Sequence, residues 1–181
     1  AMHYAIRNTA DNNDAYKGMG TTATMVFIQD EHFVFGHVGD SRLYHLHNNT
    51  LRQLTTDQTL VNQMVAEGKI EPCEAATHDM KHVLLQALGT VDKIEPEISA
   101  ARAVQSGEYY FLCSDGIYDV LDHNELQSLF AMRQPVLIME CIKALCYRRN
   151  ASDNVSALLI EIADNAGVTN NTVTREQNTM L

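Results

Sequence analysis

Residues 111–121 read FLCSDGIYDVL, and the reading of this stretch decides the fold. Phe111-Leu112-Cys113 is a short apolar run of the kind that forms a buried strand. It meets Ser114-Asp115-Gly116 and resumes at Ile117 with helical spacing. Such a strand-to-helix junction puts a carboxylate, Asp115, on the lip of a hydrophobic core. The plain reading is a turn, because Asp bonds nearby backbone and Gly tolerates positive φ. A case for chemistry has to come from the rest of the chain.

Outward from this junction the chain alternates strand blocks with helices. Upstream, 24–28 (TMVFI) and 33–38 (FVFGHV) read as strands joined tightly at Gln29-Asp30-Glu31. Residues 42–47 and 51–54 read as a hairpin turning at Asn48-Asn49, which accept the left-handed conformation. The first pair is apolar almost throughout, which places it centrally in a sheet covered on both faces. Residues 58–67 (QTLVNQMVAE) form a helix stopped by Gly68, and a helix-loop region runs on to Leu88. Strands follow near 97–104 and 109–114, helices at 125–132 and 135–148, and a last strand at 154–162. Pro135 suits the first turn of its helix. Met2, Ala5, Ile6, Thr9 and Ala10 share one helical face with no capping residue before them, so the chain reads as entering within a helix. The pattern predicts an α+β layered sandwich over residues 1–162. Residues 163–181, polar and aperiodic, read as a disordered tail.

A chain of 181 residues, 45% apolar and 20% charged, has the size and composition of one globular domain. Its net charge of −10 argues against a nucleic-acid partner, while an excess of carboxylates suits hard divalent cations. The sequence has no membrane-length apolar run and no charged-then-apolar leader, so the expectation is a cytoplasmic protein with no membrane partner. The four cysteines show no metal or redox spacing and read as reduced small hydrophobes.

Three aspartates share one position. Asp40 follows a strand (HVGDSR), Asp115 follows another, and Asp153 precedes the last (SDNV). In adjacent strands of alternating direction the end of one lies beside the start of the next. The residues alone leave two readings open: three independent turns, or three carboxylates gathered at one sheet edge to hold Mg²⁺ or Mn²⁺. His45 and His47 share a strand face at i, i+2, as two zinc ligands would, but the sequence offers no obvious third partner. Exposed strand histidines are the favoured reading there.

Six segments in order, GMGTTAT (18–24), HVGDSRLY (37–44), LTTDQTLVNQMVAEGKI (54–70), ALG (87–89), LCSDGIYDVL (112–121) and SDNVSALLIEI (152–162), resemble successive motifs of bacterial metal-dependent protein phosphatases, the type 2C serine/threonine phosphatases. The resemblance runs from about Met2 to Ile162 and covers the C-terminal two-thirds of that domain. It implies a layered αββα sandwich around a central antiparallel double β-sheet, here without its N-terminal part. It also implies hydrolysis of phosphoserine and phosphothreonine in protein substrates by a water activated between two Mn²⁺ or Mg²⁺ ions. A cognate serine/threonine kinase is the implied counterpart.

Carried over by motif, Asp115 and Asp153 match ligands to one core metal, and Asp40 with Asp115 matches a third, weaker site. His82 falls near that third site, where a Ser is expected, in a stretch (55–88) resembling the family's mobile flap; a surface histidine is its favoured reading. Arg42 is expected to support the site rather than bind phosphate. The family's acidic opening strand, its early phosphate-binding Arg and its Asp-Gly-x-Gly-Gly-His segment are not found in these residues. The expectation is therefore a phosphatase whose site this chain supplies in part, and which is inactive by itself. The alternative is a catalytically incomplete binding or regulatory module.

Overall fold

The computed structural model describes residues 1–163. The expected tail thus lies, apart from Ala163, outside the described residues. Helix α1 (Met2–Asp11) and a single 3₁₀ turn (Asp14–Tyr16) lead into β1 (Ala23–Gln29) and β2 (His32–Val38). The hairpin between them turns at Asp30 and Glu31, both with positive φ, so its twist matches that of the strands. β3 (Arg42–His47) and β4 (Thr50–Gln53) form the second hairpin, and Asn48 and Asn49 supply the same left-handed pair. Then come α2 (Leu60–Ala66), α3 (Pro72–Ala75), β5 (Glu97–Ile98), β6 (Arg102–Ala103) and β7 (Tyr109–Cys113). Helices α4 (Asp115–Tyr118), α5 (His123–Phe130) and α6 (Pro135–Arg148) precede β8 (Ala157–Glu161).

The strands make two antiparallel sheets, β1-β2-β5 with β6 also on β2, and β4-β3-β7-β8. Side chains alternate across the second sheet, so one strand feeds two cores. Tyr44, Leu46, Phe111 and Cys113 pack with Leu126, Phe130, Ile138 and Ile142 of α5 and α6. Leu43 and Tyr110 point the other way and meet Phe33 and Phe35 of the first sheet. The order sheet, sheet, helix is an α+β layered fold. α5 opens on a reciprocal cap, in which Asp122 accepts from the Glu125 N–H and Glu125 accepts from the Asp122 N–H.

One placement differs from expectation. β1 is an edge strand rather than a central one, and Met25 and Phe27 on one of its faces are 57% and 61% exposed. An unbroken apolar run is compatible with two covered faces, but it does not say that the described residues supply both covers.

Candidate metal and phosphate site

The register sets the site. Arg42 pairs with Cys113, and Cys113 pairs with Ala157. The start of β3, the end of β7 and the start of β8 therefore lie side by side, and Asp40, Asp115 and Asp153 flank them at one edge of the second sheet. Asp40 and Asp115 line the same open cleft with Gly18, Thr21, Ser41 and His82. Asp153 is not among its lining residues. It is exposed and stands one turn away, against Gly116, where an added Cβ would lie 3.2 Å from its carbonyl oxygen.

Two glycines make these junctions possible. Gly39 has φ +105°, and a Cβ there would overlap the Thr22 side chain, so only glycine turns the chain into Asp40. Gly116 lets the Asp115 turn rest directly on the backbone of 153–154. That contact is completed by Ser114, whose N–H donates to Ser156 O at 3.0 Å and whose hydroxyl donates to Asn154 O at 3.1 Å. Asp115 accepts the Gly116 N–H at 2.9 Å, the local bond expected of a turn aspartate, while still facing the cleft.

Asp40 is buried, and its carboxyl is pushed above the usual range by burial, then by the charges of Asp115 and Asp57. Its backbone oxygen accepts the Tyr118 hydroxyl at 3.1 Å. Beside it lies a part-buried ion pair: Arg42 donates to both oxygens of Asp57 at 2.6–3.0 Å and lies 3.6 Å over the Tyr118 ring. Burial works against the Arg42 charge, but the hydrogen bonds it donates to Asp57, with the neighbouring charges, more than offset it and raise its pKa. Arg42 is thus engaged by Asp57, Tyr44 and Tyr118. His82 sits at the rim, more than half exposed, 3.6 Å from Asp119. The thiol of Cys113, beneath the cleft, is pushed up to about 12 by burial, which keeps it a protonated core group.

The donor set fits a hard divalent cation: carboxylates and hydroxyls in an open cleft where water completes the shell. Repulsion between Asp40 and Asp115 is the charge surplus that a cation relieves. The three aspartates do not close into a compact set. Among the described residues, the three-residue group whose ligand atoms all lie within 4.8 Å of one another is His45, His47 and Glu108. Sequence reading missed Asp57 and Glu108, whose partners lie across strands rather than nearby in the chain.

The protein phosphatase 2C family profile matches residues 1–64. The protein phosphatase PhpP of Streptococcus pneumoniae serotype 2 is 30% identical over 151 residues, which is 83% of this chain and 61% of that protein. The crystal structure of the Mycobacterium tuberculosis serine/threonine phosphatase PstP/Ppp superposes with a TM-score of 0.83 at 29% identity, over 90% of this chain and 68% of that one. The catalytic domain of PstP in complex with two manganese ions superposes with a TM-score of 0.80 at 29% identity, over 90% and 67% of the two chains. The chain is similar to members of the protein phosphatase 2C family over most of its length, and it spans about three fifths of the length of the curated relative PhpP, 61%.

Proposed function

We propose that the chain is part of a metal-dependent protein serine/threonine phosphatase that hydrolyses phosphoserine and phosphothreonine in protein substrates. The observation that carries this reading is that Asp40 and Asp115, 75 positions apart in sequence, line one cleft with like charges that repel each other. Asp115 and Asp153 would hold one core Mn²⁺ or Mg²⁺, and Asp40 with Asp115 a third ion. Divalent cations held there supply a lowered pKa for water and neutralise charge on a phosphoryl group. The chain's own residues fix the carboxylates: the Gly39 and Gly116 turns aim them, and the Arg42–Asp57 pair lies beside Asp40. Among the described residues no helix is long and apolar enough to cross a membrane. A cytoplasmic setting with a cognate serine/threonine kinase fits the proposed substrate class.

The test is Asp115→Asn in the whole protein, assayed for Mn²⁺-dependent hydrolysis of a phosphothreonine peptide. Loss of the ligand charge at constant shape should lower turnover by about tenfold to a hundredfold or more. Activity within a factor of about two would leave Asp115 as a turn residue only. A second reading, a binding or regulatory module of the same fold, is favoured by the position of Asp153 outside the cleft. Mn²⁺-independent binding of a phosphopeptide without turnover by the whole protein would select it.

A further inference from the structure

At the other end of β3 and β7 from the acidic cleft, a second group of ligand atoms converges. Leu46 pairs with Tyr109, so the residue before β7, Glu108, lies beside His47. The i, i+2 spacing puts His45 on the same face. His47 Nδ1 is 2.8 Å and His45 Nε2 3.3 Å from one oxygen, Glu108 Oε1. We propose that His45, His47 and Glu108 form a second metal site, of the two-histidine, one-carboxylate type that takes Zn²⁺, separate from the aspartate cleft.

Each donor is already held in place. Glu108 is buried, and its other oxygen, Oε2, accepts the Gln105 N–H and the Tyr110 hydroxyl, each at 3.0 Å, which leaves Oε1 for the histidines. The His45 ring stacks on Tyr110 at 4.8 Å with 10° between the planes, so its rotation is restricted. Its Nε2 is buried, and although Glu108 Oε1 is near, no group completes a hydrogen bond to it. A buried imidazole nitrogen without a hydrogen bond is costly unless something else takes its lone pair. Bonds of about 2.0–2.1 Å in a tetrahedral shell set ligand atoms about 3.3–3.4 Å apart. The His45–Glu108 separation already has that value, and the His47–Glu108 contact has to open by about half an ångström. His47 Nε2 faces the Asn48 side-chain amide at 2.8 Å. With the amide turned to present its oxygen, Asn48 accepts the Nε2 proton and frees Nδ1 for a metal, the outer-shell arrangement typical of ligating histidines.

Charge also fits. Burial lowers the pKa of His45, favouring the neutral form that ligates. For Glu108, burial alone would raise the pKa, but hydrogen bonds from Gln105 and Tyr110 and the nearby His45 hold it below the usual value, as the anion. Arg102, on β6, is the opposing charge close to His45. Two nitrogens and one oxygen select Zn²⁺, Co²⁺ or Cu²⁺ over Mg²⁺ and Mn²⁺, which prefer oxygen. His47 lies five positions along β3 from Arg42, about 17 Å of strand, so the site is distinct from the cleft.

The test titrates residues 1–181 with Zn²⁺ against a chromophoric chelator, with Mg²⁺ in excess to occupy oxygen-rich sites. One equivalent should bind, and His47→Gln, at a half-exposed position, should weaken binding about tenfold or more while the circular dichroism spectrum is retained. Glu108→Gln should do the same. Co²⁺ should give the intense visible bands of a tetrahedral ion in the unsubstituted chain and lose them in His47→Gln. Zn²⁺ affinity unchanged by His47→Gln, or a Co²⁺ spectrum without tetrahedral bands, overturns the site.

Discussion

A Cβ on Gly116 would stand 2.5 Å from the carbonyl oxygen of Asn154, so the turn that carries Asp115 and the turn that carries Asp153 are in backbone contact. Gly116→Ala must therefore push two backbones apart, since no flexible side chain is there to give way. Destabilisation of about 1–3 kcal/mol is expected, the range for overpacked sites, read by denaturant unfolding. Because the shift separates two proposed ligands, Mn²⁺ affinity should fall with it. A variant as stable as the original would mean the two turns slide freely.

The Arg42–Asp57 pair gives a second test. Asp57 is buried and receives three hydrogen bonds from Arg42 and one from Gln53 at 2.8 Å. Removing Asp57 leaves the part-buried Arg42 charge without its carboxylate, held only by its bond to the Tyr44 hydroxyl. Asp57→Ala should cost about 1–3 kcal/mol. Arg42→Lys should recover little, because an ammonium cannot make the forked contact or lie flat on Tyr118. Full stability in Arg42→Lys would show that charge alone matters there.

Stability should fall in mild acid because of His37. The imidazole is buried, its Nδ1 meets the Thr24 hydroxyl at 2.9 Å, and burial lowers its pKa below 6.5. The native state favours the neutral ring, so between the unfolded and folded pKa values the unfolded chain binds more protons. The contribution is complete above about pH 6.5 and is lost as pH falls from there towards the folded pKa. His45 has the same sign. The midpoint of thermal unfolding should therefore drop between pH 7.5 and 5.5, and His37→Asn should drop less. Equal slopes would remove His37 as the cause.

How far the sequence carried follows from where each signal resides. Helix α6 was legible to its ends, Pro135 and Arg148, because an apolar stripe and a first-turn proline are local features. The hairpins were legible for the same reason, the first as two apolar runs around a short polar break at 29–31, the second through Asn48 and Asn49, which accept positive φ. Strand ends and antiparallel order left open whether Asp40, Asp115 and Asp153 gather at one place; the register sets their strand ends side by side, with Asp153 outside the cleft that Asp40 and Asp115 line. What escaped was pairing across strands. Arg42 finds Asp57 fifteen residues on, and His47 finds Glu108 about sixty residues on, and neither partner carries a local mark of its role. The exposed face of β1 escaped because apolar runs reveal a tendency to be covered, not the cover itself.

The acidic cleft should make the metal-free chain less stable than its own neutralised variant. Asp40 is buried with its carboxyl raised by burial and by Asp115 and Asp57, so the ionised form is disfavoured in the folded state. For a carboxyl raised in this way, stability is present at low pH and is lost as pH rises through the folded pKa. At pH 7 Asp40 therefore works against folding unless a cation offsets it. Asp40→Asn keeps the shape and removes the repulsion. Without metal, its unfolding midpoint should rise by about 2–4 °C, the equivalent of about 1 kcal/mol for a domain of this size. With millimolar Mn²⁺ the order should reverse, because the cation stabilises only a state that binds it. The original chain should gain several degrees and Asp40→Asn little. A lower midpoint for Asp40→Asn without metal, together with an undiminished Mn²⁺ response, would show that Asp40 is a structural turn residue and that the cation, if bound, is held elsewhere.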